Sequence, residues 1–228
     1  MRNIIFGKNS VLEALKNGYP IEKLYLQKGL VNRDIKFKNI VYLDLSEMNK
    51  MAKGNHQGYI AEIKDYQYYD FGSILKDKPE TILMLDHIQD PQNFGAIMRS
   101  ASVFGIKHII IPKNRCCEVT ATVLKISSGG FKDIKVIKVA SLFEAIESLK
   151  KNNFWIYASV LNEKAKKLHK TIFSKPTCLI VGNEESGVSN TLIKHSDELI
   201  YIEQKEDAIQ SLNVATATGI LLYEITKK

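Results

Sequence analysis

Residues Thr81–Ile106 read TILMLDHIQDPQNFGAIMRSASVFGI, and the fold turns on how this stretch is parsed. TILML has no polar alternation, as expected of a strand covered on both faces. FGAIMRSASVFG is helix-like, and between the two apolar runs stand Asp90, Pro91, Asn93 and Gly95, with Arg99 inside the helical pattern. A buried strand, a turn and a helix form the repeating unit of a parallel sheet.

The same rhythm continues to the end of the chain. Strand-like HIIIP, IKVIKV, FWIYASV, TCLIVGN and ELIYIE alternate with helix-like VTATVLKISS, SLFEAIESLKKN, VSNTLIKHS and SLNVATATGILLYEITKK. The pattern predicts an α/β fold with a parallel sheet covered on both sides. Upstream, IIFGKNSVLEALKNG, KLYLQKG, NIVYLDLS, SEMNKMAKG and GYIAEIKDY suggest a smaller α/β unit. Gly72 and Pro79 lie in a stretch without sustained period, so the predicted division is a first domain at 1–70, a linker at 71–80 and a second domain at 81–228.

Composition narrows the function. The chain has 228 residues, 45% hydrophobic and 25% charged, enough for a substantial core. Its longest apolar runs are strand-sized and fall short of the roughly 20 residues of a membrane helix. MRNIIFGKN has neither the apolar segment nor the cleavage site of a signal peptide, so a cytoplasmic protein without a membrane partner is expected. Cys116 and Cys117 are adjacent and Cys178 stands alone, and the five histidines are scattered, so neither a disulfide framework nor a metal site is expected. Lys and Arg number 32 against 25 Asp and Glu, a formal charge of +7 that favours a polyanionic partner such as nucleic acid.

Ligands of parallel sheets bind at the carboxyl ends of strands, and three strand exits here carry unusual chemistry. In DPQNFGAIMR, Asn93 is placed to cap the helix, with Arg99 nearly two turns on; a purely structural cap and a packed arginine fit the spacing equally well. GNEESGVSNTL is neither a Walker loop nor GxGxxG; Gly182 and Gly187 bracket Asn183, Glu184 and Glu185, either a solvated turn or a binding loop. In SLNVATATG, Ser211 is a plausible N-cap and Asn213 lies near it, ahead of small residues suited to close packing or to a dimer helix.

Together these loops resemble the SpoU-type, TrmH-like RNA ribose 2'-O-methyltransferases of the SPOUT superfamily. The three motifs stand in order as DPQNFGAIMRSASVFG, IVGNEESGVSNTL and SLNVATATGILLYE. SSGGF at 127–131 is similar to the family's Ser-Xaa-Gly-Ala segment, with Gly130 in place of alanine. FGKNSVLEAL and HQGYIAEI resemble the L30-like RNA-binding domain of the subgroup that methylates a guanosine ribose in 23S rRNA. The third motif departs from the family pattern: IEQKEDAIQSLN keeps Ile202, lacks the family's Pro and Gly, and adds Glu203, Glu206 and Asp207.

The resemblance implies a SPOUT-type parallel sheet with a C-terminal trefoil knot, whereas topology rules alone give an unknotted sheet. It further implies a homodimer and S-adenosyl-L-methionine as cofactor, held by Gly182, Asn183, Gly187, Ile202, Leu212, Ser128 and Gly129. Arg99 is the implied catalytic residue, assisted by Asn93, Glu184, Ser211 and Asn213. Docking of rRNA is expected from Lys8, Arg33, Lys36, Lys38 and Lys53 of the first domain, through phosphate contacts. The competing readings are a non-catalytic RNA-binding dimer of the same fold, and a methyltransferase acting on tRNA or conferring antibiotic resistance through rRNA.

Overall fold

The computed structural model describes residues 3–30, 35–162, 165–204 and 211–227; Arg33, Glu206 and Asp207 lie outside these. Contacts divide the chain into two compact units, 1–67 with 119–129, and 68–118 with 130–228. The first contains β1 (Ile4–Phe6), α1 (Lys8–Lys16), β2 (Ile21–Gln27), β3 (Ile40–Leu43), α2 (Leu45–Met51) and β4 (Tyr59–Ile63). β4 lies between β1 and β2, antiparallel to both, and β3 extends β2 in parallel. Asp44 and Glu47 form a reciprocal capping box at the start of α2, which seats Met48 and Ala52 against Tyr25 and Ile60.

The chain continues through α3 (Gly72–Asp77), β5 (Thr81–Leu85), α4 (Pro91–Val103), β6 (His108–Pro112), α5 (Ala121–Ile126), β7 (Lys135–Val139), α6 (Leu142–Lys151), β8 (Trp155–Ser159), β9 (Lys166–Lys167), β10 (Thr177–Val181), α7 (Asn190–His195), β11 (Glu198–Tyr201) and α8 (Val214–Thr226). The second unit is a seven-stranded sheet in the order β7-β6-β5-β10-β8-β11-β9, parallel at every pairing. Every residue of β5, β6 and β10 is buried, as their unbroken apolar character requires. Ile82, Met84, Ile110, Cys178 and Ile180 share one core with α3, α6 and α7 through Ile74, Ile146, Leu149 and Leu192. The alternate residues Leu83, Ile109 and Leu179, also fully buried, point to the opposite face. The remaining helices, α4 and α8, pack on each other.

Two boundaries differ from the sequence expectation. Residues 71–80 contain α3, whose Ile74 is fully buried; six residues with one core contact are too short to show a period. α5 lies within the expected second domain yet belongs to the first unit. There the Asn3 side chain accepts a hydrogen bond from the Ala121 amide at 2.9 Å, and the Tyr19 hydroxyl donates to the Leu124 carbonyl at 2.8 Å. Periodicity identifies a helix but not the core that its apolar face joins. No helix among the described residues is long and apolar enough to cross a membrane.

Leu124 is fully buried. Leu124→Ala is therefore expected to cost about 2–5 kcal/mol, all of it in the first unit. Amide exchange in β1 and β4 should accelerate, while the unfolding transition reported by Trp155, the sole tryptophan and a residue of β8, stays where it was.

Candidate active site

β5 and β10 are neighbours at the centre of the sheet, but the chain leaves β5 towards β6 and leaves β10 towards β11 on the other side. Divergence of this kind opens a crevice at the carboxyl ends of the strands. A cavity of about 580 Å³ lies there, lined by residues 159–162 after β8, 182–188 after β10, Ile202 and Gln204 after β11, and 211–214 at the start of α8.

The wall after β10 is a loop closed on itself. Asn183 and Gly187 exchange backbone hydrogen bonds at 3.1 and 2.9 Å, and Gly187 adopts the left-handed conformation at φ +67. A Cβ on Gly182 would stand 2.0 Å from the Gly187 carbonyl carbon and the Val188 nitrogen, so only glycine fits. The loop is anchored at the end of β5. The buried Asp86 carboxylate accepts from the Ser189 amide at 2.7 Å and pairs with His87 Nδ1 at 2.6 Å, while Asn183 Nδ2 donates to the His87 carbonyl at 2.8 Å.

A chain of side chains joins the three motif loops. Asn213 Nδ2 donates to Asn93 Oδ1 at 2.8 Å, and Asn93 Nδ2 donates to Glu184 Oε1 at 2.7 Å. Asn93 is buried, so both of these bonds are needed to satisfy its amide. It does not cap α4: Asp90 does, accepting from the Gln92 amide at 2.9 Å with Pro91 behind it. Likewise Asn213, not Ser211, caps α8, its Oδ1 accepting from Ala215 and Thr216. Each helix begins where its cap places it, which leaves Asn93 free to work as a side chain.

The cavity is lined by Gly182, Asn183, Gly187, Ile202 and Leu212, and also by Glu184, Ser211 and Asn213. Asn93 reaches it through Glu184 and Asn213. Arg99 stands about 9 Å further along α4 and a third of a turn around it from Asn93. It is exposed and makes no hydrogen bond or ion pair among the described residues. Behind it the chain closes in: a Cβ on Gly130 would lie 3.3 Å from the Arg99 Cα and 3.1 Å from the Ser102 Cβ. Ser128 and Gly129 belong to the first unit and do not line the cavity. Lys8, Lys36, Lys38 and Lys53 are exposed on the first unit, in no ion pair among the described residues.

Three features carried little sequence signal. The β8 exit, Ser159 to Asn162, has neither glycine nor proline to mark it. Asp86 and His87 look like the end of a strand. Lys167 and His169, in a lysine-rich stretch, both bind Glu203, the lysine at Oε1 and the His169 Nδ1 at 3.0 Å from Oε2. The hydrogen bond from Lys167 holds the Glu203 carboxyl below the usual carboxylate range. The acidic departure in the third motif is thus neutralised at Glu203, between the cavity residues Ile202 and Gln204.

Gly182→Ala is expected to destabilise the protein by at least about 2–3 kcal/mol, the upper part of the ordinary range for single substitutions, and to remove ligand binding in the cavity, as read by thermal unfolding and titration. Glu203→Gln should weaken ligand affinity at low salt, with the difference closing in 1 M salt, since the pair is exposed and screened. Because the Glu203 carboxyl is lowered, its contribution is complete above the ordinary carboxylate range and fades as pH falls through the lowered value.

Residues 80–223 match the SpoU rRNA Methylase family and residues 4–69 match the RNA 2'-O ribose methyltransferase substrate binding domain. A Staphylococcus aureus protein assigned to the TrmH family of tRNA/rRNA methyltransferases is 32% identical over 239 residues, covering 99% of this chain and 96% of that one. Among solved structures, the A. aeolicus TrmH/SpoU tRNA modifying enzyme is 30% identical over 64% of this chain and 74% of its own, with a TM-score of 0.58. The SpoU methyltransferase AviRb from Streptomyces viridochromogenes, solved with the cofactor AdoMet, is 20% identical with a TM-score of 0.73, covering 98% of this chain and 88% of its own, and shares the fold. With the family's methylase region covering the seven-stranded sheet and the cavity and its substrate-binding region covering β1 to β4, the chain belongs to the SpoU rRNA methylase family.

Proposed function

We propose that the protein transfers a methyl group from S-adenosyl-L-methionine to the 2'-hydroxyl of a guanosine ribose in 23S rRNA, working as a cytoplasmic homodimer whose C-terminal segment forms the family's trefoil knot. The observation that carries the reading is the Asn213–Asn93–Glu184 chain, which joins all three motif loops around one cavity. The residues present suit the cofactor. Leu199, Ile202 and Leu212 offer an apolar slot for adenine, the main chain of 182–188 offers hydrogen-bonding groups for its edge, and Glu184 and Glu185 offer negative charge to the methionine ammonium and the sulfonium. Ser128 and Gly129 enter the reading only by resemblance.

When bound, the cofactor supplies an electrophilic methyl group on a positively charged sulfur. The protein has to align the ribose oxygen and stabilise the negative charge that grows on it. Arg99, exposed and unpaired among the described residues, is the cation for that task. The hydroxyl proton then goes to Arg99 or to a substrate phosphate. Lys8, Lys36 and Lys38 of the first unit supply phosphate contacts, as does Lys53, with Arg33 assigned from sequence alone. Val103, Ile220 and Tyr223 are exposed on α4 and α8, an apolar strip suited to a second copy. The neutralised Glu203 argues against the non-catalytic alternative.

Incubation with labelled S-adenosyl-L-methionine and unmodified 23S rRNA or tRNA, followed by mapping of the label, tests the reading. Label is expected on one 23S guanosine ribose. Arg99→Ala should cut turnover by at least about 100-fold while cofactor affinity changes by less than about twofold. Label on tRNA would move the substrate, and a variant with most of its turnover would remove Arg99 from the chemistry.

A further inference from the structure

A second cavity of about 370 Å³ shares Asn183, Glu185, Ser186 and Gly187 of the loop after β10 with the proposed cofactor cavity. Its lining includes Asp86, His87, Gln89, Arg115, Glu185 and Ser186. The space suits a single flat ring system, being at the small end of ligand pockets. Its groups are held in place. The His87 ring is fixed by Asp86 at 2.6 Å, and that carboxylate is itself anchored by the Ser189 amide. His87 and Arg115 both hold left-handed backbone conformations, φ +61 and +52, which non-glycine residues adopt at a cost. Arg115 makes no hydrogen bond or ion pair among the described residues, and the Glu185 carboxylate is likewise unpaired.

We propose that this cavity reads a guanine base of the RNA substrate, with Arg115 and Glu185 as the specificity-determining pair; the proposal rests on the reading of the protein as an RNA methyltransferase. The charge balance excludes a simple phosphate site. Asp86 is consumed by His87 and Ser189, leaving one guanidinium and one carboxylate, so the cavity presents a donor fork and an acceptor pair and no excess of positive charge. Guanine alone among the four bases has two neighbouring acceptors, O6 and N7, to match the fork, and two neighbouring donors, N1–H and the N2 amino group, to match the carboxylate. The fixed imidazole offers a stacking face and Gln89 an amide, the means by which unstacked RNA bases are held. Because Glu185 and Ser186 also line the cofactor cavity, a base bound here presses on the loop that shapes the cofactor site.

The test is titration of the whole protein, saturated with S-adenosylhomocysteine, with guanosine, inosine and adenosine 5'-monophosphates. Guanosine monophosphate should bind at least about tenfold more tightly than either of the others, the discrimination of one good bidentate pair. Arg115→Lys, which keeps the charge and loses the fork to O6 and N7, should abolish the preference over adenosine monophosphate without changing S-adenosylhomocysteine affinity, and Glu185→Gln, which loses the acceptor pair, should abolish the preference over inosine monophosphate. Equal binding of the three nucleotides, no binding at all, or an intact preference in both variants would overturn the proposal. These arms need no methyl transfer, so a protein that discriminates guanine yet labels no RNA sustains this inference and overturns the catalytic reading.

Discussion

The site depends on one close approach of backbone to backbone. Gly182 leaves the central strand β10 so near to Gly187 and Val188 that no side chain can stand between them. This tight closure turns the strand exit back on itself and makes one wall of the 580 Å³ cavity. Asp86 keeps the closure in register with the sheet: its amide donates to the Val181 carbonyl at 2.9 Å, and its carboxylate holds Ser189 on the far side of the loop. A buried carboxylate with a partner on each oxygen is rigidly placed, since breaking either bond costs the solvation of a buried charge.

From that wall the remaining parts follow. Glu184 projects from the loop and receives Asn93, Asn93 receives Asn213, and α8 starts where Asn213 caps it. The network is built from amides and one carboxylate, groups with fixed geometry, so the three motif loops are set relative to one another more sharply than apolar packing alone would set them. Arg99 stays outside it. For the catalytic role proposed above an unpaired side chain is the better disposition, and α4 supplies it with a rigid stem.

Much of the second unit was legible because parallel strands buried on both faces are written as short apolar runs, and six of them stand between helical patterns. The order of the strands was not legible: β10 inserts beside β5, a long-range pairing that no local pattern announces. Caps were readable only to within a few residues. The sequence reading puts the α4 cap at Asn93, whereas Asp90, three positions earlier, holds it, with Pro91 pre-set for the first turn. The allegiance of α5 was hidden for a related reason, since its bonds to Asn3 and Tyr19 span more than a hundred residues. In the site, glycines and asparagines marked the motif loops, whereas Asp86 and His87 looked like the end of a strand and nothing set Lys167 apart in its lysine-rich stretch. Their roles come from partners far along the chain.

The central claim is that the closed loop after β10 forms one wall of a nucleoside-type cofactor site completed by the exits of β8 and β11 and the start of α8. A crystal structure of the protein grown with S-adenosylhomocysteine tests it most directly. The account predicts the ligand between Gly182, Gly187, Ile202 and Leu212, with the Asn213–Asn93–Glu184 bonds intact. A ligand bound elsewhere on the second unit, or an empty cavity at saturating concentration, would contradict it.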